Sequence, residues 1–302
     1  MHVKAEHISK SFDDKLVVAN FSFEARAGFI TGIIGDSRAG KTTILRMLLG
    51  IVKPDEGYIS FDDNVLSHKI LDATGYLPEE RGVYQQYTLN EILVYFARLK
   101  NLPRKKAQVE AVRLMDRFNL IEQMETPVQK LPEEVQQKVE LMITLIHNPD
   151  LIILDEPFHN MVAENQTLIR KMVQRLREDG KTIILATGQI EEAELLCDEI
   201  TLLHQGETLM KGRVDDMLEK FKHNLIEVEG EDNLQPLKQI NGVQKMIQKK
   251  QVAQLFIDKA VSPQKVLDEI IRTVNISRIE IKRPGLKDIY TDAVQQYRQA
   301  AL

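Results

Sequence analysis

Apolar and polar positions alternate over Val3–His7 and again over Val17–Glu24, the period of half-buried β-strands. Phe29–Ile34 is instead an apolar run, as in a buried strand, and Thr43–Leu49 after it has helical spacing. Gly57–Phe61 predicts another short strand. From Leu89 to about Ile146 the pattern is helical and amphipathic, punctuated by Pro103, Pro127 and Pro132. Leu151–Leu154 and Thr182–Ala186 are continuous apolar runs, as expected of central parallel strands, with a crossover helix over Leu168–Leu176 between them. Ile200–Leu203 and Glu207–Met210 read as a hairpin about Gln205-Gly206. Together these predict an α/β core, residues 1–218, into which a helical region, about 86–146, is inserted.

The pattern changes near residue 220. Leu225–Val228 reads as a strand, and Val243–Ile247 with Val252–Ile257 as a strand pair. Ser262 and Pro263 are suited to the N-cap and first position of a helix that runs to about Thr273. A strand over Ile276–Ile281 and a closing helix over Leu286–Tyr297 complete a small α+β domain, residues 220–302, in which no catalytic constellation stands out. No internal repeat is present.

The chain has 302 residues, 43% hydrophobic and 28% charged, enough for a sizeable core in one large domain or two unequal ones. Its formal net charge of −5 disfavours general nucleic-acid binding. The single cysteine, Cys197, excludes an internal disulfide or a cysteine metal cluster and reads as a packed thiol in a reducing, cytoplasmic setting. Met1–Lys4 carries no apolar signal region, and no apolar run reaches the length of a membrane span. A role at a membrane therefore requires another chain to supply the span.

Candidate chemistry begins at Gly35-Asp36-Ser37-Arg38-Ala39-Gly40-Lys41-Thr42, which fits the phosphate-binding pattern G-x-x-x-x-G-K-[ST] between a predicted strand and a predicted helix. Backbone N–H groups of such a loop and of the helix start point at an anion, and the helix dipole adds to the attraction. Lys41 would reach the β- and γ-phosphates, and the Thr42 hydroxyl would bind Mg²⁺. An ordinary glycine-rich turn is the alternative. Leu151–Leu154 then ends in Asp155-Glu156-Pro157, which sets two carboxylates at the carboxyl end of a buried strand, where α/β sheets bind ligands. Asp155 would hold Mg²⁺ through water, and Glu156 would orient and deprotonate an attacking water.

In order and spacing, residues 1 to about 218 resemble the ATP-binding subunit of ABC transporters, a P-loop NTPase core with an inserted helical subdomain. The resemblance includes Gly75–Tyr84, similar to the loop that touches the membrane permease, with Glu79 where many members have Gln. The Pro-Glu-Glu-Arg-Gly run at 78–82, the C-terminal domain and its end, Pro284–Tyr290, are similar to the efflux-type branch that exports drugs and sodium. The resemblance implies ATP and Mg²⁺ as ligands, with Gly35, Asp36, Ser37, Arg38, Ala39, Gly40, Lys41, Thr42 and Thr43 around the phosphates. It implies Phe12 stacking on adenine, a plain core Phe being the lesser alternative. It gives Mg²⁺ to Thr42, Asp155 and Glu79. It also implies a homo- or heterodimer, head to tail with two ATP molecules between the subunits, on permease subunits of a separate chain at the inner face of the cell membrane, and no nucleic acid.

Four departures fall on positions that the family uses for hydrolysis. The signature loop, close to Leu-Ser-Gly-Gly-Gln in the family, is Leu131-Pro132-Glu133-Glu134-Val135 here. Pro132 offers neither hydroxyl nor N–H. At about 5 Å and an effective dielectric near 20, each glutamate would repel a unit negative charge by about 3 kcal/mol. Pro132 at the first helical position with Glu beside it is nonetheless a good helix start, so the helix forms with its anion site filled by its own carboxylates. After Glu156 the family's loop close to Ser-Gly-Leu-Asp-Pro is replaced by His159-Asn160-Met161-Val162-Ala163, and the family's γ-phosphate His is Gly188. His159 is a candidate replacement. Arg38 stands where the phosphate loop usually has Gly and is strained if its φ is positive. Two readings follow: a working transport ATPase paired with a complete subunit, or a nucleotide-binding scaffold or regulator without turnover. An ABC protein of DNA repair or translation is a weaker third reading, lacking a long coiled coil or a second cassette.

In a family-like dimer Arg38 of one subunit would face Glu133 and Glu134 of the other and form an ion pair that needs no nucleotide. Reversing this charge by Arg38→Glu is expected to weaken dimerisation in the absence of ATP, as read by analytical ultracentrifugation. An unchanged monomer–dimer equilibrium would refute the pairing.

Overall fold

The computed structural model describes residues 1–80, 82, 86–220, 224–230, 233–258, 260–282 and 285–300. The chain divides into two compact units, Met1–Arg213 and Val214–Leu302.

The first unit opens with a long hairpin, β1 (Val3–Phe12) and β2 (Lys15–Ala25). Its tip, Asp13 and Asp14, has φ of 46° and 61°, the left-handed pair that a two-residue turn needs to match the strand twist. The alternating pattern marked only the first half of β1. Its second half, His7 to Phe12, is broken by register shifts against β2, so the period of two is lost there. Next come β3 (Ile30–Gly35), α1 (Lys41–Leu48), β4 (Glu56–Phe61), α2 (His68–Asp72) and β5 (Thr74–Leu77). β4 joins β1 and β2 in an antiparallel sheet of order β2-β1-β4. β5 escapes the sequence pattern because it has four residues, one of them Gly75.

The helical insertion resolves into α3 (Leu89–Leu99), α4 (Arg104–Arg117) and α5 (Glu133–Leu145), joined by two 3₁₀ turns. The Thr88 hydroxyl and the Glu91 carboxylate form a reciprocal capping box at the start of α3. The expected helix start at Pro132 shifts by one residue: Pro132 is the N-cap, in extended conformation, and Glu133 and Glu134 occupy the first turn. Then follow β6 (Leu151–Asp155), α6 (Ala163–Glu178), β7 (Thr182–Thr187), α7 (Ile190–Leu196), β8 (Glu199–His204) and β9 (Glu207–Arg213). The crossover helix α6 is longer than its apolar stripe because its first turn, residues 163–166, carries no large apolar residue and its last residues, Arg177 and Glu178, are charged and exposed.

The main sheet has order β5-β6-β7-β3-β8-β9, parallel throughout except for the β8–β9 hairpin. Every residue of β3, β6 and β7 is buried, which is why these strands read as unbroken apolar runs. Their register decides where chemistry can occur. Ile34 of β3 lies beside Thr187 of β7, and Asp155 of β6 beside Ala186 of β7. Three adjacent strands therefore end level, at Gly35, Thr187 and Asp155. Cys197 is buried below this edge, and burial pushes its thiol far above the ordinary range, so it is a packing group.

The second unit begins with α8 (Val214–Lys220), so the division lies a few residues before the change of pattern near residue 220. It continues with β10 (Asn224–Glu229), β11 (Val243–Lys249), β12 (Val252–Ile257), α9 (Pro263–Thr273), β13 (Arg278–Lys282) and α10 (Leu286–Ala300). The strands form an antiparallel sheet of order β11-β12-β10-β13. Val266 and Ile270 of α9 close a core with Ile226, Val228 and Leu255 of the sheet. Ser262 is the N-cap of α9 and Pro263 its first residue. Among the described residues no helix is long and apolar enough to cross a membrane.

Candidate functional site

The loop from β3 to α1 leaves the sheet at Gly35, where a side chain has no room: a Cβ would lie 2.4 Å from the Leu203 carbonyl oxygen. Gly40 turns the loop into α1 with φ of 103°, which only glycine adopts readily. Asp36, Ser37 and Arg38 are exposed, whereas Ala39, Gly40 and Lys41 are buried. Arg38 has φ of 68°, so the strain expected of a side chain here is present. A non-glycine residue in this region costs on the order of 1 kcal/mol. No side chain caps α1 and no acidic residue occupies its first turn, which leaves its positive end open to an external anion.

Lys41 lies under this loop. Its ammonium donates to the Gly35 carbonyl at 2.7 Å and the Asp36 carbonyl at 3.1 Å. It pairs with Glu156 Oε1 at 3.0 Å. Glu156 follows β6 with φ of 46°, and its N–H donates to the Ala186 carbonyl at 2.8 Å. Its carboxylate accepts from the Thr187 hydroxyl at 3.0 Å and from the Gly188 N–H at 2.8 and 3.1 Å. Lys41 and Glu156 thus neutralise each other in a largely buried place.

Asp155 is 1% exposed, and neither carboxylate oxygen makes a well-formed hydrogen bond; the Thr42 hydroxyl is the donor near it. Burial pushes its carboxyl up to about 6, with the charges of Glu79 and Glu156 acting the same way and the Thr42 hydroxyl and Lys41 opposing. Two orphaned carboxylate oxygens beside a hydroxyl suit a hard divalent cation. Among the described residues no three His, Cys, Asp or Glu side chains form a protein-only metal cage. That suits Mg²⁺, which typically takes one or two carboxylates and completes its shell with phosphates and water. Glu79 is exposed and reaches this centre through its charge.

Phe12, at the hairpin tip, is 45% exposed, which removes the core reading; the Lys10 ammonium sits 5.4 Å from its ring centroid. The ring is free to receive a flat ligand. Pro132, Glu133 and Glu134 are exposed at the start of α5. His159 is exposed, and its N–H donates to the Glu156 carbonyl at 3.0 Å. Arg81, Val83, Tyr84 and Pro284, named with the permease-contact loop and the closing motif, lie outside the described residues.

Two participants were not marked beforehand, the Thr187 hydroxyl and the Gly188 N–H, which together hold Glu156. A Cβ built on Gly188 would stand 3.6 Å from Glu156 Oε1 and 3.9 Å from Lys41 Nζ, so this position faces the ion pair directly. The available signal was the polar Thr187 at the carboxyl end of a buried parallel strand, the same signal that marked Asp155.

A family profile described as ABC transporter matches residues 18–159, and one described as ATP-binding protein DrrA1-3-like, C-terminal domain, matches residues 212–294. An uncharacterised ABC transporter ATP-binding protein of Alkalihalophilus pseudofirmus is 30% identical over 262 residues, covering 87% of this chain and 98% of that protein. The Nod factor export ATP-binding protein I of Ralstonia nicotianae is 30% identical, covering 76% of this chain and 73% of that protein. A solved structure described as an ATP binding subunit of an ABC transporter superposes with a TM-score of 0.68 at 24% identity, covering 73% of this chain and 93% of that one, a likeness of fold.

The raised Asp155 carboxyl gives a direct test. In the metal-free protein its ¹³C resonance is expected to titrate with a midpoint of about 6. Because the folded value is raised, acidification below this midpoint favours the metal-free fold, and this contribution is lost as the pH rises through it. Adding Mg²⁺ with nucleotide is expected to move the midpoint down, since metal and proton compete for the same oxygens. A midpoint that Mg²⁺ and nucleotide leave in place would remove Asp155 from the metal site.

Proposed function

The chain belongs to the ABC transporter family as an ATP-binding subunit of the export type, and from this premise we propose that it binds Mg²⁺·ATP at the level ends of β3, β7 and β6 and couples occupancy to a separate membrane permease. The observation that carries this reading is the buried Asp155 carboxylate, left without a partner beside an uncapped helix start and a buried lysine. When bound, Mg²⁺ supplies positive charge that neutralises the phosphates. Gly35 to Thr43 wrap the phosphates with backbone N–H groups, Thr42 and Asp155 face the metal with Glu79 near it, and Phe12 covers the adenine. Lys41 exchanges Glu156 for a phosphate oxygen. Glu156 is then held by Thr187 and Gly188 alone, oriented to accept a proton from water.

The permease side is proposed to lie along the loop that includes Glu79 and Glu80 and along α3, where Tyr87, Glu91, Ile92 and Tyr95 line a cavity of about 380 Å³. The chain then sits peripherally on the inner face of the membrane, as one of two ATP-binding subunits.

Turnover is the point at which one observation favours a narrower reading. Glu133 and Glu134 occupy the first turn of α5 and are exposed, so that helix start presents negative charge to any approaching phosphate. A homodimer of this chain would hold ATP without hydrolysing it, whereas a complete second subunit would supply its own signature loop to the ATP bound here.

Mg²⁺·ATP affinity and turnover, measured together on the purified chain and on Glu156→Gln, test both statements. The chain is expected to bind Mg²⁺·ATP with turnover no higher than the variant. The variant is expected to bind roughly fivefold tighter or more, on the order of 1 kcal/mol, because Lys41 no longer has an internal carboxylate to leave. Turnover that vanishes in Glu156→Gln would show that Glu133 and Glu134 do not block hydrolysis, and absence of ATP binding would overturn the reading as a whole.

A further inference from the structure

Away from the phosphate loop, the end of α4, the middle of α5 and the start of α6 line an open groove of about 350 Å³, in which Lys138 is half-buried and Arg117 and Lys171 are exposed. This lies within the range of small-molecule sites, roughly 300–1,000 Å³. Arg117, Lys138 and Lys171 line it against a single acid, Glu164. Among the described residues the side chains of these three cations make no hydrogen bond or ion pair. Shortage of acid is not the reason: the chain has 45 Asp and Glu for 40 Lys and Arg. Burial lowers the Arg117 pKa most, and the neighbouring Arg175 lowers it further, more than Asp179 restores. Phe118 is 6% exposed and gives the cavity an apolar floor.

We propose that this groove is a binding site for a small phosphorylated molecule, with its phosphate among Arg117, Lys138 and Lys171 and its apolar part on Phe118. A phosphate carries several anionic oxygens and can pair with more than one of these cations, whereas the lining offers them one carboxylate, Glu164. A nucleic-acid strand would instead require an extended cationic track, and the net charge of −5 supplies none. The groove shares no residue with the phosphate loop. It does reach the altered helix start: the buried Asn165 side chain, part of the lining, donates to the Glu134 carbonyl at 2.8 Å and to Gln137 Oε1 at 3.2 Å. Gln137 in turn donates to the Asn160 carbonyl at 3.1 Å, in the loop that follows Glu156. An occupant therefore touches α5 and α6, the helices next to two of the four departures from the family pattern, and its site is independent of whether the chain hydrolyses ATP.

The test is calorimetric titration of inorganic pyrophosphate into the full chain carrying Lys41→Ala, which weakens the phosphate loop's own hold on the probe. Saturable binding is expected. Lys138→Glu with Lys171→Glu is expected to weaken it roughly tenfold or more, and the milder pair Lys138→Gln with Lys171→Gln to weaken it less but measurably. Lys105→Glu with Lys106→Glu, an exposed cation pair on α4, is expected to leave it within about twofold. Thermal melts confirm that each variant is folded. Equal weakening by the two Glu pairs would mean a diffuse surface field, no weakening by either would place the probe elsewhere, and displacement of pyrophosphate by a short DNA duplex would assign the groove to a polymer; each outcome overturns the proposal.

Discussion

The site is organised around one buried ammonium. Lys41 is 6% exposed, and a charge so placed must be compensated or it neutralises. In the nucleotide-free protein the compensation comes from two loop carbonyls and from Glu156. That arrangement is possible only because β3, β7 and β6 are neighbours whose carboxyl ends are level, so a residue just after β6 reaches a residue just after β3. The continuous apolar character of the three strands is thus the condition for the chemistry, because it buries the sheet on both faces and leaves only its edge for polar groups.

How much of this was legible follows from the range of the interactions. Gly35, Gly40 and Lys41 were readable because their roles are local: a close approach, a positive φ and a side chain folded back on its own loop. Asp155 and Glu156 were readable because a strand end fixes where they stand. The hold of Thr187 and Gly188 on Glu156 was not readable, since it spans 31 and 32 residues and depends on which strand lies between β6 and β3. In the fold, the long apolar runs marked the central strands, whereas β5 and the second half of β1 were missed where a strand is short or its register slips. The groove beside α5 left no local trace, because its cations come from three helices distant in sequence.

Two helix starts in the first unit use the same electrostatics with opposite results. α1 begins at a bare glycine with no acid in its first turn, so its N–H groups and partial positive charge are left for a ligand. α5 begins after Pro132 with Glu133 and Glu134 in its first turn, so the same partial charge is answered from within the chain. The first arrangement stores binding capacity. The second spends it on helix stability, and it presents two negative charges where another subunit's nucleotide would approach in a dimer of the family type.

The residues that the proposed nucleotide site would use within this chain are therefore physically coherent, while Glu133 and Glu134 put negative charge where the proposed dimer would bring a partner's nucleotide. Coherence is more than the presence of side chains. Lys41, Glu156, Thr187 and Gly188 hold one another, with two loop carbonyls on Lys41, whereas Asp155 has only the Thr42 hydroxyl near it. An unpaired buried carboxylate costs stability unless it neutralises, and the rise of its pKa to about 6 is that cost made visible. Under the proposed reading, in which Glu133 and Glu134 stand where a second subunit's nucleotide would approach, Asp155 is the group whose folding cost a bound cation would relieve.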